Sequence, residues 1–310
     1  MSLAQKAGPR RHKMSRLQAR EARTGLLFVL PWLVGLILFT AYPLLATLFL
    51  AFTDYSVLEP PRWVGLQNFQ TMVTGDPSFG ISVYNSAYYA LISVPLGLAV
   101  ALGLALVLNQ RAGGIGVYRT LFYLPSLVPP VAASLVFLVM FEPQGGLINS
   151  LLRGVGLPAP AWFYDPAWAK PGLILLSLWA VGSSTLIFLA GLQDVPQSLL
   201  DAAAIDGAGG LQRFRHVTLP LLTPVILFNL VMGVIYSFQV FAQALVIGGA
   251  TGRPLESTLM FMVLIYRSAF RYFQMGYASA LSLVLFLVVF AITLLIFKTS
   301  QRWVFYTGDE

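Results

Sequence analysis

The chain is patterned as an all-α membrane protein: six transmembrane helices, both termini in the cytoplasm, and a cytoplasmic loop between helices 4 and 5. Three features point there. Hydrophobic residues fill 57% of the 310 positions and charged ones only 10%, against about 45–50% and about 25% in soluble domains. Six segments, at about 25–52, 84–108, 121–141, 171–192, 221–247 and 276–297, hold no Asp, Glu, Lys or Arg. Finally, Lys and Arg lie unevenly between the segments that join them.

The first 24 residues form a basic tail. Lys6, Arg10, Arg11, Lys13, Arg16, Arg20 and Arg23 crowd it, with Glu21 among them. A net charge of +7 in a soluble protein would raise nucleic-acid binding. Set directly before an apolar span, the same charge is a topogenic flank, and no nucleic-acid partner is expected. The first apolar run is far longer than the about 7–15 residues of a signal peptide, so it is expected to stay as an anchor in the lipid.

Each of the six segments reaches the about 20 residues that a helix rising about 1.5 Å per residue needs to cross a bilayer. Together they predict a transmembrane domain over 25–298, followed by a second cytoplasmic tail at 299–310. With the N-terminus inside, thirteen of the 19 Lys and Arg fall on the cytoplasmic side and six outside. Acidic residues divide evenly, so the bias lies in the positive charges, as the positive-inside rule requires. The outer loops gather aromatics near the membrane edge, among them Tyr55, Trp63, Phe69, Trp162, Phe163, Tyr164, Trp168, Tyr272 and Phe273. Interfacial anchoring and docking of an outer partner both fit them.

The spans exclude several chemistries. None holds Asp, Glu, Lys, Arg or His, whereas proton-coupled carriers use such groups within the membrane. The two histidines, His12 and His216, lie in a tail and a loop, so no intramembrane metal site is expected. Gly182-Ser183-Ser184 is not a nucleophile elbow. Lys298 precedes Thr299 but follows Phe297, so there is no phosphate-binding Gly-Lys-Thr loop. The absence of Cys rules out disulfides and thiol chemistry. The chain is not expected to be an enzyme, and any energy for transport has to come from another subunit.

Loop 193–220 carries the most information. Pro196 suits a first helical turn, 198–204 favours a short helix, and Gly207 can end it in a left-handed conformation. Residues 213–217 suggest a second short helix, and Pro220 opens the fifth span. The adjacent alanines Ala202 and Ala203 allow another backbone or an aromatic ring to come close. Spacing alone leaves open whether this is a docking knob or an ordinary connector.

Asp201-Ala202-Ala203, then Gly207 after three residues, then Val217-Thr218-Leu219-Pro220 after nine more resemble the EAA loop of bacterial ABC importer permeases. The family pattern is Glu-Ala-Ala, three residues, Gly, nine residues, Ile-x-Leu-Pro. Asp201 replaces Glu and Val217 replaces Ile; both keep the chemistry, with one methylene less reach at Asp201. The Asp206-Gly207-Ala208 core also matches. Phe52-Thr53-Asp54-Tyr55, Val64-Gly65-Leu66-Gln67-Asn68-Phe69, Tyr118 through Pro125, and Met275-Gly276-Tyr277-Ala278-Ser279-Ala280 resemble the carbohydrate-uptake branch.

The resemblance implies a division of labour. Two permease subunits, usually different chains, would form a heterodimeric pore in the bacterial inner membrane. Two cytoplasmic ATPase subunits, carrying ATP and Mg, would grip the EAA loops, and an outer solute-binding protein would deliver substrate. No cofactor is implied for this chain. Asp201 would pair with a basic ATPase residue, Ala202 and Ala203 would pack closely, Gly207 would form the turn, and Asp206 belongs to the same coupling set.

A carbohydrate path needs uncharged hydrogen-bonding groups and aromatics. Asn229, Met232, Tyr236, Gln239 and Gln243 recur at steps of +3 and +4, which puts them on one face of a continuous fifth helix. Trp179, Ser183 and Ser184 lie within about a turn on the fourth. Interhelical hydrogen bonding accounts for the fifth-span residues equally well, and helix packing through small residues is the simpler account of the three on the fourth. Pro31, Pro43, Pro95, Pro129, Pro130 and Pro224 fall inside the predicted spans, where neighbouring helices tolerate proline.

Overall fold

The structure, a computed structural model, describes residues 16–110 and 112–305. Lys6, Arg10, Arg11, Lys13, His12 and Arg111 lie outside the described residues, as does the end of the C-terminal tail. The chain divides into two units at Phe49 and Leu50. The first is α1 (Arg16–Leu36), a five-residue π turn at Ile37–Ala41, and the start of α2 (Tyr42–Leu50). Its apolar helix Arg23–Leu50 runs for 28 residues, about 40 Å at the usual helical rise.

The second unit opens on an element that an all-α reading omits. β1 (Thr53–Ser56) and β2 (Glu59–Trp63) form an antiparallel hairpin with Thr53 opposite Trp63. Long-range packing makes it: Phe52 stacks on Trp63 at 5.7 Å and meets Phe69 at a tilt, with centroids 5.4 Å apart. Asn68 Nδ2 donates to the carbonyls of Ala51 and Thr53, both at 2.9 Å. Asn68 lies on α3 (Gln67–Thr74). Next comes α4 (Pro77–Leu108), with Pro77 in its first turn and Asp76 as cap, its Oδ1 accepting Ser78 N–H at 2.9 Å.

The predicted span 121–141 is a broken pair. α5 (Ile115–Tyr123) continues into a 3₁₀ turn at Leu124–Leu127, and α6 (Pro130–Met140) leaves at 97° to it. Val128 precedes Pro129 and is forced extended, at φ −73°, ψ 128°, while Pro130 sits where a helix tolerates proline. After α7 (Leu147–Gly154), the predicted span 171–192 is also a pair. α8 (Pro166–Trp179) and α9 (Gly182–Gln193) meet at 48°. A Cβ on Gly182 would lie 2.7 Å from Phe122 O. A close approach to the 3₁₀ region, not a proline, accompanies this break.

α10 (Gln197–Ile205) and α11 (Gly210–Arg213) precede a π turn at Phe214–Thr218 and α12 (Leu219–Phe238). The fifth apolar segment is two helices, not the continuous one expected. α12 stops at Phe238 and α13 (Ala242–Gly248) begins after a gap. Val240 and Phe241 fill that gap and pack into the core, Phe241 against Tyr266 at 5.2 Å. Asn229, Met232 and Tyr236 share α12, Gln239 ends it, and Gln243 belongs to α13. α14 (Phe261–Tyr266), a π turn at Arg267–Arg271 and α15 (Met275–Ser300) complete the described chain. Among the described residues, four helices are long and apolar enough to cross a membrane, and the count reaches six if each bent pair crosses.

Three buried clusters hold the second unit. Residues 259–264 pack with Tyr89, Leu173, Ile174, Tyr277 and Leu281. Ala101, Ala105 and Leu108 of α4 meet Phe188, Leu189 and Leu192 of α9 and Leu222 of α12. Small residues four apart let these backbones approach, the usual device where lipid removes the hydrophobic drive between helices. Trp162 and Phe163 are buried with Phe137, Phe141 and Leu176, so these two aromatics are neither interfacial anchors nor a docking surface.

Gly276 ties α15 to the hairpin: a Cβ there would lie 2.0 Å from Thr53 O. Two motifs more than 200 residues apart thus meet. Gly276→Val is expected to destabilise by at least the about 1–3 kcal/mol of overpacking, read as a lowered Tm in detergent. Gly80→Val, where nothing lies within 4 Å of the added Cβ, is the control expected to leave the Tm near that of the parent.

Candidate functional site

The loop after α9 folds into a compact helical knob. α10 ends in paired C-terminal hydrogen bonds: Gly207 N–H donates to Ala204 O at 3.1 Å and Ala208 N–H to Ala203 O at 2.9 Å. This closure needs a left-handed residue, and Gly207 supplies it at φ +82°. Gln212 Oε1 accepts Gly209 N–H at 2.8 Å and fixes the start of α11. Asp201 is exposed on α10, its Oδ1 accepting from Gln197 Nε2 at 2.9 Å. Ala202 and Asp206 are exposed and Ala203 is half-buried. Ala203, Asp206 and Gly207 border a cleft of about 310 Å³, together with Gln212, Arg213 and His216. Ile205 and Leu211 project from the knob at 87% and 79% exposure, a large apolar presentation for a free surface.

A second feature lies among α4, α8, α9, α12 and α13. Tyr89, Ser93, Gly97, Ser177, Ser184, Asn229, Tyr236, Ser237 and Gln243 border a cavity of about 280 Å³. Among the described residues, no charged one lines it. The cavity offers hydroxyls, amides and two phenols among apolar walls, which suits recognition of a neutral hydroxylated solute better than of an ion. Asn229 is buried, and its Nδ2 donates to Val225 O at 3.0 Å on its own helix. Its Oδ1 and the second Nδ2 hydrogen are left for a ligand.

Of the residues singled out in the sequence, Ser184, Asn229, Tyr236 and Gln243 border this cavity. Ser183 and Gln239 do not border it and are exposed. Trp179 ends α8 with its ring 5.7 Å from Phe137. Tyr89, Ser93 and Gly97 were missed, although they recur at i, i+4 and i+8 in the second span, the same helical signal that singled out the fifth. Ser177, one helical break before Ser184, had no such signal.

Long apolar helices packed around an uncharged polar cavity are an arrangement that suits a membrane transport component. The chain belongs to the family described as the inner membrane component of binding-protein-dependent transport systems, whose model matches residues 93–304. It is similar to the probable ABC transporter permease protein YesP of Bacillus subtilis, at 45% identity over 96% of this chain and 97% of that one. It is also similar to the trehalose/maltose transport system permease protein MalF of Thermococcus litoralis, at 32% identity over 93% and 97%. A solved bacterial ABC transporter involved in import of the acidic polysaccharide alginate matches the fold with TM-score 0.81 at 24% identity, over 93% of this chain and 99% of that one.

Proposed function

We propose that this chain is a carbohydrate permease of an ATP-driven importer, crossing the membrane six times with each bent pair counted as one span. Both termini face the cytoplasm, with residues 1–24 and 299–310 as short tails around a transmembrane domain at 25–298. The observation that carries the solute class is the uncharged, hydroxyl- and amide-lined cavity. The trehalose/maltose relative supports it. Ser184, Asn229, Tyr236 and Gln243 contact the solute there, and Trp179, Ser183 and Gln239 lie along the path on either side.

Energy arrives through the knob. Two separate ATPase subunits hold ATP and Mg, and this chain carries no cofactor. Asp201 meets a basic ATPase residue, Ala202 and Ala203 seat against the socket, and Asp206 and Gly207 keep the turn rigid. A compact knob transmits rigid-body movement because its hydrogen bonds close on themselves and have no slack. A second, different permease completes the pore, and an outer binding protein supplies the sugar. Affinity purification of the tagged chain from its native membrane is the test. Co-purification of an ATPase, a second permease and a sugar-binding protein is expected; recovery of the chain alone, with uptake that continues after ATP depletion, would contradict it.

A further inference from the structure

A larger cavity, of about 630 Å³, lies apart from the membrane path, between the hairpin, the N-terminal end of α4, the 249–260 loop and the N-terminal end of α15. Its size falls within the about 300–1,000 Å³ of small-molecule sites. Its charged lining is three carboxylates, Asp54, Asp76 and Glu256, against one guanidinium, Arg267, a formal charge of −2.

Asp76, Glu256 and Arg267 are held in place. Asp76 caps α4 with Oδ1 while its Oδ2 accepts Tyr277 O–H at 2.8 Å. Glu256 Oε1 accepts Ser78 O–H at 2.9 Å and Arg267 Nη1 at 3.0 Å. Glu256 holds this position at φ +57°, beside Leu255 at φ +47°. Left-handed conformations cost non-glycine residues about 1–2 kcal/mol each. Arg267 is only 7% exposed, stacks over Tyr272 at 5.8 Å, and has a buried Nε with no hydrogen-bond partner among the described residues. An unmet buried donor is itself a cost, and a ligand oxygen beside the guanidinium would remove it after a small side-chain adjustment.

We infer that this cavity is a reception site for a neutral sugar unit on its way to the membrane path, and that its carboxylates turn anionic solutes away. This rests on the carbohydrate reading and on the proposed orientation, which places the hairpin and the 249–260 loop outside. Sugar hydroxyls donate to the remaining carboxylate lone pairs and accept from the guanidinium, with Gln67 and Gln274 as amide partners in the same lining. A carboxylate or phosphate on the solute meets three like charges for one opposite charge, so discrimination comes from repulsion as much as from attraction.

The test uses the full chain in nanodiscs carrying Gly97→Phe, which fills the membrane cavity and leaves the outer one to report. Saturation-transfer NMR follows glucose, galactose, maltose, trehalose and lactose, with glucuronate, galacturonate and glycerol 3-phosphate as anionic probes. At least one neutral sugar is expected to bind, with every anionic probe at least tenfold weaker. Asp54→Lys, on an exposed strand position, is expected to narrow or invert that preference at least threefold. No binding by any neutral sugar, equal binding of galactose and galacturonate, or a preference untouched by Asp54→Lys would each overturn the inference. Absence of sugar uptake by cells making the unaltered chain and its partners would instead sink the carbohydrate reading itself.

Discussion

Gly207→Trp is expected to cut ATP-driven uptake at least tenfold while ATP hydrolysis by the assembled importer continues. Gly207 is left-handed at φ +82°, and a β-carbon there meets nothing within 4 Å. The substitution therefore costs about 1–2 kcal/mol of backbone strain without a clash at the β-carbon, and insertion and folding should survive. What changes is the outer surface of the knob and the exactness of the turn that joins α10 to α11. The bulky ring would stand between the knob and its ATPase socket and separate the two movements. Gly207→Asn makes the contrast, since Asn tolerates the left-handed region, and its uptake should stay within about twofold of the parent. Uptake and phosphate release measured on the same proteoliposomes separate uncoupling from loss of assembly. Normal uptake by Gly207→Trp would remove the knob from the mechanism.

Gly97→Phe is expected to abolish uptake by a different route. Gly97 lines the membrane cavity, and its added β-carbon also meets nothing within 4 Å. A phenyl group would occupy much of the about 280 Å³ between α4, α9 and α12. Gly97→Ala should be tolerated, because alanine favours the helix by up to about 1 kcal/mol and leaves most of the space open. At least a tenfold loss is expected for Phe and less than twofold for Ala, with ATPase and binding protein still recovered on the same affinity column. Full uptake by Gly97→Phe would show that solute passes elsewhere. Tyr236→Ala and Gln243→Ala, which remove single contacts, should reduce uptake severalfold rather than block it.

Hydropathy located the apolar segments because lipid demands about 20 uncharged residues wherever a helix crosses. It could not report where those segments break. At Val128-Pro129-Pro130 the prolines were visible in the sequence, and the rule that the residue before proline avoids the helix would have marked the bend. At Ala180-Val181 no local signal exists, because the break accompanies a close approach of Gly182 to Phe122, 60 positions away. The hairpin was hidden for the same reason: Phe52, Asn68 and Gly276 hold it from three elements. In the membrane cavity, Asn229 and Tyr236 were legible as polar residues on one helix face. Gln243 reaches the same space from a separate helix, so its inclusion came from a spacing that the chain does not follow. The outer cavity had no signature, since Asp54, Asp76, Glu256 and Arg267 converge only through tertiary packing.

A neutral sugar is expected to cross this chain on energy delivered by separate ATPases. Reconstituting the chain in proteoliposomes with its partner permease, ATPase and binding protein, and measuring sugar accumulation, is the test. The expected result is accumulation that requires ATP on the cytoplasmic face and the binding protein on the other. Accumulation that persists without ATP, or that follows an imposed proton gradient instead, would contradict it.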